Sequence, residues 1–100
     1  MNLRILESAL NDLADGRDFY ERQGESLGEY FLDSLFSDID SLVLYAGIHR
    51  KVFGFHRLLS KRFPHAIYYQ LENGNMAVVY RVLDCRRHPS RTRTNLKHGG

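Results

Sequence analysis

The apolar positions along the chain follow two periodicities, and these predict its secondary structure. Residues 8–23 and 26–46 repeat apolar side chains at intervals of three and four, the pattern of helices with one buried face. Ser8 is placed to cap the first helix, and Ser26 with Glu29 has capping-box spacing at the start of the second. Only a few residues separate the two helices, so an antiparallel helical hairpin is expected.

Strand patterns account for most of the remaining apolar sequence. Strands are expected at residues 2–6, 52–59, 65–72 and 76–84. Gly54 indicates a bend within the second strand, and Asn73-Gly74 indicates a tight turn between the third and fourth, because both turn residues tolerate positive φ. The last strand is apolar on both faces, which predicts a central position covered from both sides.

This order of elements defines the expected architecture. A strand, two helices and a three-stranded antiparallel meander give an α+β fold in which the helical hairpin lies on the sheet. Residues 1–89 are expected to form a single domain. Residues 90–100 are polar and basic, which favours a flexible C-terminal tail.

The composition indicates a globular protein and bears on its cellular compartment. Of the 100 residues, 43% are hydrophobic and 26% are charged, as is typical of a folded protein. No run approaches the ~18 apolar residues of a membrane span, and the N-terminus lacks the basic-then-apolar pattern of a signal peptide. Cys85 is the single cysteine, so no internal disulfide can form. A cytoplasmic protein without membrane association is expected.

The distribution of charge says more than the net charge of +2. Residues 1–49 contain three cations and ten carboxylates, a net charge of −7. Residues 50–100 contain eleven cations and two carboxylates, a net charge of +9. This asymmetry suggests a basic face that could meet nucleic acid or an acidic protein, although neutralisation of one half by the other explains part of it equally well.

The candidate chemistry lies mainly in six basic residues of the second half. They are Arg57, Lys61, Arg62, Arg81, Arg86 and Arg87. Arg81 stands among apolar strand residues, where an unpaired cation is costly, so an ion pair with Asp84 or Glu72 is the simpler explanation. The alternative is that its planar guanidinium binds phosphate or carboxylate. Arg86 and Arg87 follow the last strand directly, and their side chains are expected to diverge to opposite sides.

The histidines and the cysteine offer little catalytic pattern. No two histidines have the i, i+4 spacing of a helical metal site and no cysteine stands at ligand spacing, so no metal site is expected. His56 beside Arg57, or His88 beside Arg87, could act as a general acid or base next to a phosphate-binding cation, but hydrogen-bonded surface histidines are commoner. Cys85 has no Cys-His-Asn pattern and is expected to be a small buried strand residue.

Three segments carry a resemblance to a known family. They are RFPHAIYY at residues 62–69, the Asn73-Gly74 hairpin, and VLDCRRHP at residues 82–89. Together with the apolar stripes of both helices, they are similar to the RelE/ParE superfamily of bacterial type II toxins, often called plasmid-stabilisation proteins, over residues 2–89. The Phe-Pro corner before a tyrosine pair and the Arg-Arg-x-Pro ending look like the ParE-like members.

The resemblance implies a toxin held inactive by a cognate antitoxin protein. The C-terminal segment of the antitoxin would bind apolar or cationic grooves as an added strand or helix. ParE-like members of the superfamily poison DNA gyrase and block replication, whereas RelE-like members cleave mRNA in the ribosome. Neither activity implies a cofactor or a small-molecule substrate.

For this chain the resemblance favours gyrase inhibition, with the six basic residues contacting the target or the antitoxin. The acid/base set of a nuclease is incomplete, because the end of the last strand offers only Asp84, Cys85 and His88. One alternative is a ribosome-dependent mRNA endoribonuclease, which would use His56, Arg57, Arg81, Arg86 and His88. Another is an RNA-binding module that has the toxin fold and no activity.

Overall fold

The computed structural model describes residues 1–98, which form one five-stranded sheet with helices on both faces. The strands are β1 (Asn2–Ile5), β2 (Lys51–Val52), β3 (Phe55–Leu59), β4 (His65–Glu72) and β5 (Met76–Asp84). The helices are α1 (Glu7–Glu21), α2 (Leu27–Asp40), the single turn α3 (Leu42–Tyr45) and α4 (Pro89–Lys97). None of these helices is long and apolar enough to cross a membrane. The predicted α+β order of strand, helical hairpin and antiparallel meander is confirmed.

The sheet has the order β1-β5-β4-β3-β2. β5 pairs in parallel with β1 and antiparallel with β4, so it is interior, although the middle position belongs to β4. A bulge interrupts the β4–β5 ladder, because Arg81 pairs with Tyr68 and Val79 with Tyr69, which leaves Tyr80 as the extra residue. On β5, the side chains that face α1 and α2 are therefore Ala77 and Val79 before the bulge and Val82 after it.

The helical hairpin and the sheet enclose the larger of two apolar clusters. Its fully buried members include Leu13 of α1, Phe31, Leu35 and Ile39 of α2, and Ile67, Tyr69 and Val79 of the sheet. Gly16 allows α1 to approach α2 closely, since a Cβ at this position would lie 2.5 Å from the Phe31 ring. The predicted apolar stripes of both helices therefore form the main core.

The two predicted serine caps are absent from the helix starts. Ser8 lies inside α1, and its hydroxyl donates to the Tyr80 carbonyl of β5 at 2.7 Å. Ser26 precedes α2 with a φ of 65°, and its side chain makes no capping bond. The carboxylate of Glu21, at the end of α1, instead accepts from the amides of Ser26 at 3.2 Å and Gly28 at 2.9 Å. A carboxylate is favourable at this point because the first turn of a helix presents free N–H groups and the positive end of its dipole.

The helix predicted over residues 26–46 is interrupted at Ser41, which separates α2 from α3. The Ser41 hydroxyl donates to the Asp38 carbonyl at 2.6 Å and so competes with the regular helical bonds. The Asp38 carboxylate, whose residue is only 5% exposed, accepts from the Ser60 hydroxyl at 2.7 Å and from the Lys61 amide at 3.3 Å. These bonds fix the β3–β4 loop to the end of α2.

The bent strand predicted over residues 52–59 is a small hairpin in the structure. Phe53 and Gly54 form its two-residue loop with φ values of 55° and 85°, which is the pattern of a type I′ turn. Positive φ is uncommon for an aromatic residue. The Arg93 guanidinium of α4 lies 5.0 Å from the centre of the Phe53 ring and supports it there.

The segment predicted as a flexible tail, residues 90–100, contains helix α4, and its last two residues lie outside the described residues. Leu96 is 4% exposed and packs in a second apolar cluster with Ala66, Tyr68 and Leu83 on the face of the sheet opposite the hairpin. Sequence reasoning did not find α4, because one large apolar side chain gives no helical period to detect. The apolar side chains on both faces of β5 were the signal in the sequence that a further element must cover the second face of the sheet.

Candidate functional site

The basic residues of the second half gather at one end of the sheet, where β4 begins, β5 ends and α4 starts. Arg57 lies on β3, Lys61 and Arg62 on the exposed β3–β4 loop, Arg81 on β5, and Arg86 and Arg87 in the turn after β5. Their side chains do not form one site, because they occupy environments with different charges around them.

Arg81 is an internal structural cation. Its Nε and Nη2 donate to the Asp12 carboxylate of α1 at 2.7 and 2.8 Å, and its Nη1 donates to the Asn95 carbonyl of α4 at 2.8 Å. The Asp12 carboxylate also accepts from the Val82 amide at 2.9 Å. The side chains of Arg81 and Asp12 are only 15% and 11% exposed. These bonds hold three elements together and leave Arg81 little capacity to bind a phosphate.

The two carboxylates expected to pair with Arg81 bind elsewhere, so that expectation is wrong. Glu72 accepts a hydrogen bond from the Tyr80 hydroxyl at 2.9 Å. Asp84 accepts from Arg86 through both oxygens, with the shorter contact, to Nη2, at 2.6 Å. This bond lowers the pKa of Asp84 to about 2 and raises the pKa of Arg86. Arg86 is therefore exposed but already neutralised by its neighbour.

Arg57 and Arg87 lie in a different environment, a cavity of about 180 Å³ on the α4 side of the sheet. The other lining residues are Val52, Phe53, Tyr68, Cys85, Pro89 and Thr92. The lining contains no carboxylate, and neither arginine makes an ion pair within residues 1–98. Two guanidinium groups therefore line a cavity that contains no carboxylate, but Arg87 is exposed and also lines a second cavity that contains Asp12, Asp15 and Asp84.

Tyr68 and Cys85 complete the polar part of this lining. Tyr68 stands opposite Arg57 in the β3–β4 register and is 5% exposed. Burial raises the pKa of its hydroxyl, against an opposing hydrogen bond with Arg57. Cys85 was expected to be a buried strand residue, but it is exposed just after β5. Desolvation raises the pKa of its thiol, so a reactive thiolate is disfavoured.

The histidines considered as acid/base groups do not line this cavity. His56 Nδ1 donates to the His49 carbonyl at 2.6 Å, and its ring stacks on Tyr69 with centroids 5.0 Å apart. His88 caps α4, because its Nδ1 accepts from the Ser90 amide at 3.1 Å. In the described part of the chain, no three His, Cys, Asp or Glu side chains are grouped so that they could hold a metal ion.

A second cavity, of about 320 Å³, lies on the face of the sheet that α1 covers, at the end where β4 begins and β5 ends. Its lining consists of Asp12, Asp15, Gly16, Phe19, Arg22, His65, Val82, Asp84 and Arg87. Burial lowers the pKa of His65, which is 7% exposed and whose Nδ1 has no hydrogen-bond partner among the described residues. Sequence reasoning did not single out His65, because a strand-end histidine gives no sign of how deeply it will be buried. The mixed charges of the lining favour neither an anion nor a cation.

Several large apolar side chains are exposed on α3, in the loop after it and near the end of β4. They are Val43, Leu44, Tyr45, Ile48 and Leu71. Leu44 and Ile48 are 79% and 74% exposed, and Leu71 lies roughly 20 Å along β4 from His65 at the usual rise per strand residue.

Comparisons with known proteins give a family match and matches to solved structures. The family model described as "ParE toxin of type II toxin-antitoxin system, parDE" matches residues 3–89. The solved structure described as "Chromosomal ParDE TA system from P. aeruginosa" aligns with a TM-score of 0.74 and 22% sequence identity, covering 82% of this chain and 92% of that chain. At this identity the likeness shows a common fold. No curated protein sequence gives a significant match.

Proposed function

The chain belongs to the ParE toxin family of type II toxin–antitoxin systems, and from that membership we propose that it inhibits DNA gyrase and thereby blocks DNA replication and growth. The family match carries this proposal because residues 3–89 include both long helices, all five strands and the arginine-rich turn after β5. A cognate antitoxin protein would hold the toxin inactive in the cytoplasm.

The geometry of the basic end supports a toxin that acts by binding. Of the residues that a nuclease would use, Arg81 and Arg86 are bound to carboxylates of the same chain. His56 and His88 do not line the cavity that contains Arg57. A general acid or base must come within hydrogen-bond reach of its substrate together with the groups that hold the phosphate. The described side chains do not bring such a set together.

The exposed basic end is the surface that we assign to the target or the antitoxin. The β3–β4 loop exposes Lys61 and Arg62, and the turn after β5 exposes Arg86, which is paired with Asp84, and Arg87, which lines the cavity of Arg57. A cationic surface of this kind attracts an acidic protein segment and speeds its association. The exposed apolar side chains of α3 and the loop after it, among them Leu44 and Ile48, offer a separate contact surface.

Gyrase inhibition is tested with the purified chain, gyrase, ATP and relaxed plasmid. We expect supercoiling to be lost or cleaved DNA to be trapped with the enzyme. Relaxation of the same plasmid by a type I topoisomerase is the control, and it should be unaffected. Normal supercoiling in the presence of excess folded chain would contradict the proposal.

The alternative activity, ribosome-dependent cleavage of mRNA, is favoured by one observation, the pair of unneutralised arginines beside Tyr68. Such a pair could hold a phosphate during attack on the phosphodiester bond. Primer extension on mRNA from a reconstituted translation reaction would detect cleavage at the ribosomal A site. Cleavage that is lost in Arg57→Ala and retained in Arg4→Ala would move the assignment from gyrase to the ribosome.

A further inference from the structure

We propose that His65 is a pH-sensitive switch: on protonation its ring leaves the aromatic cluster at the start of β4 and enters the adjacent cavity, and the β3–β4 loop loosens. The aromatic cluster consists of the rings of Tyr20, Phe31, Phe63 and His65. The loop carries Lys61 and Arg62, two exposed cations of the basic end. Such a switch changes the conformation of this loop whatever its target, and so goes beyond gyrase inhibition.

The His65 ring is enclosed by the other rings of the aromatic cluster. Its centroid lies 5.0 Å from that of Phe31, which it meets edge-on, and 6.0 Å from that of Tyr20. Phe63 packs on the same two rings, with its centroid 5.1 Å from that of Phe31 and 4.8 Å from that of Tyr20. His65 is 7% exposed in these surroundings. The neutral imidazole is favoured here, because burial opposes a charge.

The hydrogen bonding of the ring also favours the neutral form. His65 Nδ1 is buried and has no hydrogen-bond partner among the described residues. A protonated imidazole is a donor at both nitrogens, so protonation in this position leaves an unpaired N–H on a buried cation. A proton therefore favours any accessible position in which both nitrogens find acceptors or water.

Charged and titratable groups surround the ring and its cavity from α1, β5 and the turn after β5. They are Asp12, Asp15 and Tyr20 of α1, Arg22 directly after it, Asp84 of β5, and Arg86 and Arg87 of the turn. Burial has the largest influence on the pKa of His65 and lowers it below its usual 6.5. The two arginines of the turn add to this effect, whereas Asp84, which pairs with His65 in the β4–β5 ladder, and Asp12 oppose it. In the cluster the ring therefore binds a proton less readily than an exposed histidine does.

The cavity of about 320 Å³ beside the cluster provides the second position, and His65 already forms part of its lining. Asp15, Phe19 and Arg22 of the lining are exposed, so the cavity is open to water. A protonated ring in it is hydrated, and the carboxylate of Asp15 can accept an N–H bond. Above pH 6.5 the ring is neutral in both positions, and packing keeps it in the cluster. Below that pH the hydrated position binds the proton more tightly, so its population rises as the pH falls.

The ring supports the β3–β4 loop, and its departure affects the loop directly. The His65 amide donates to the Phe63 carbonyl at 2.7 Å, and the His65 carbonyl accepts from the Ser60 amide at 2.9 Å. Phe63 also packs on Tyr20 and Phe31, the two rings that lose a neighbour when His65 leaves. The loop therefore gains conformational freedom at acidic pH.

The switch is tested by nuclear magnetic resonance on the purified chain, which is titrated from neutral pH to the acidic range above the Asp84 pKa of about 2. We expect the His65 ring to titrate below pH 6.5. Over the same range it should lose nuclear Overhauser contacts with Phe31 and gain contacts with Phe19, which lines the cavity. Amide exchange in residues 60–64, corrected for the intrinsic rate at each pH, should become roughly tenfold faster or more.

Four variants separate the contributions to this transition. His65→Phe keeps a ring in the cluster without a titratable group and should abolish the transition. His98→Gln, at the exposed end of α4, removes another histidine and should leave it unchanged. Asp15→Asn should move the midpoint to lower pH by roughly half a unit, and Arg22→Gln should move it up by a similar amount, because these exposed charges act on the ring in the cavity.

Three outcomes would overturn the switch. A protonated His65 ring that keeps its contacts with Phe31 would show that the cavity offers no second position. A loop transition that persists in His65→Phe would assign it to another group, and simultaneous loss of structure in α1 and α2 would show global unfolding in acid. If His65→Phe does not fold, His65→Gln also lacks a titratable ring and should likewise abolish the transition. Gyrase is absent from these measurements, so they succeed or fail independently of the supercoiling assay.

Discussion

The two faces of the sheet are covered in very different ways. On the hairpin face, helices α1 and α2 bury a continuous cluster in which Phe31, Leu35 and Tyr69 have no exposed surface. On the α4 face, a nine-residue helix contributes Leu96 as its one large buried side chain, and beside it lies the cavity of Arg57 and Arg87. The hairpin face therefore supplies stability. The α4 face carries the half-buried Arg57, which makes no ion pair among the described residues, and leaves a cavity beside it.

One ion pair joins the two faces. Arg81 is bound to Asp12 on the hairpin side and to the Asn95 carbonyl on α4. α4 is too short to be stable as an isolated helix and depends on such contacts. Substitutions on the hairpin face, at the ion pair and on the α4 face should therefore have effects that decrease in that order.

The largest loss of stability is expected for Phe31→Ala on the hairpin face. The Phe31 ring is fully buried and stacks on Tyr20 with centroids 5.1 Å apart. Its removal leaves a cavity in the main core, which should lower the free energy of unfolding by about 3–5 kcal/mol. Urea unfolding followed by circular dichroism measures this. Leu44→Ala, at a side chain that is 79% exposed, is the control and should change the free energy by less than about 0.5 kcal/mol.

A smaller but still large loss is expected for Asp12→Asn at the junction of the faces. The neutral side chain would leave Arg81 mostly buried without a counter-charge, at a cost near the lower end of the range for broken buried pairs, about 3 kcal/mol. Asp18→Asn is a matched control on the same helix. Its pair with Arg17 is about half exposed on both sides and should contribute less than about 1 kcal/mol. Equal effects of the two variants in urea unfolding would contradict the structural role of Arg81.

The hairpin face could be predicted from the sequence, whereas most of the α4 face could not. Helical periodicity over residues 8–23 and 26–46 gave most of the buried stripes, because local spacing decides which side of a helix is apolar, but Leu10 and Val43 of the same stripes are 46% and 43% exposed. α4 has too few apolar residues to produce such a signal. The cover that it provides was indicated only indirectly, by the apolar second face of β5.

The candidate site was only partly predictable for a related reason. The basic residues could be selected from composition and position, but their partners lie far away in the chain. Asp12 precedes Arg81 by 69 residues, and no local pattern connects them. The pairing of Arg57 with Tyr68 depends on strand register, and the convergence of Arg57 with Arg87 depends on the turn after β5. A single sequence fixes neither, so it could not separate the free arginines from the paired ones.

On the α4 face, Leu96→Ala should act locally. Loss of its side chain from the small cluster should cost about 2 kcal/mol or less, since α4 can detach while the rest of the fold persists. Native-state hydrogen exchange should become faster in α4 and remain unchanged in α1 and α2. Thr94→Ala is the control on the exposed side of the same helix. Faster exchange throughout the hairpin face would show that the two faces unfold together.

The smallest effect on stability is expected for the Asp84–Arg86 ion pair, which lies where β5 ends. The pKa of Asp84 is lowered from 3.8 to about 2 in the folded protein, so its carboxylate stabilises the fold fully above about pH 4. This contribution should disappear as the pH falls towards 2. Arg86 is exposed, so solvent screening keeps the contribution small. Thermal unfolding of the natural chain and of Asp84→Asn should therefore differ slightly at neutral pH and converge on acidification. Because both proteins keep His65 and Arg87, a difference that persists at the lowest pH would show that the ion pair is not its cause.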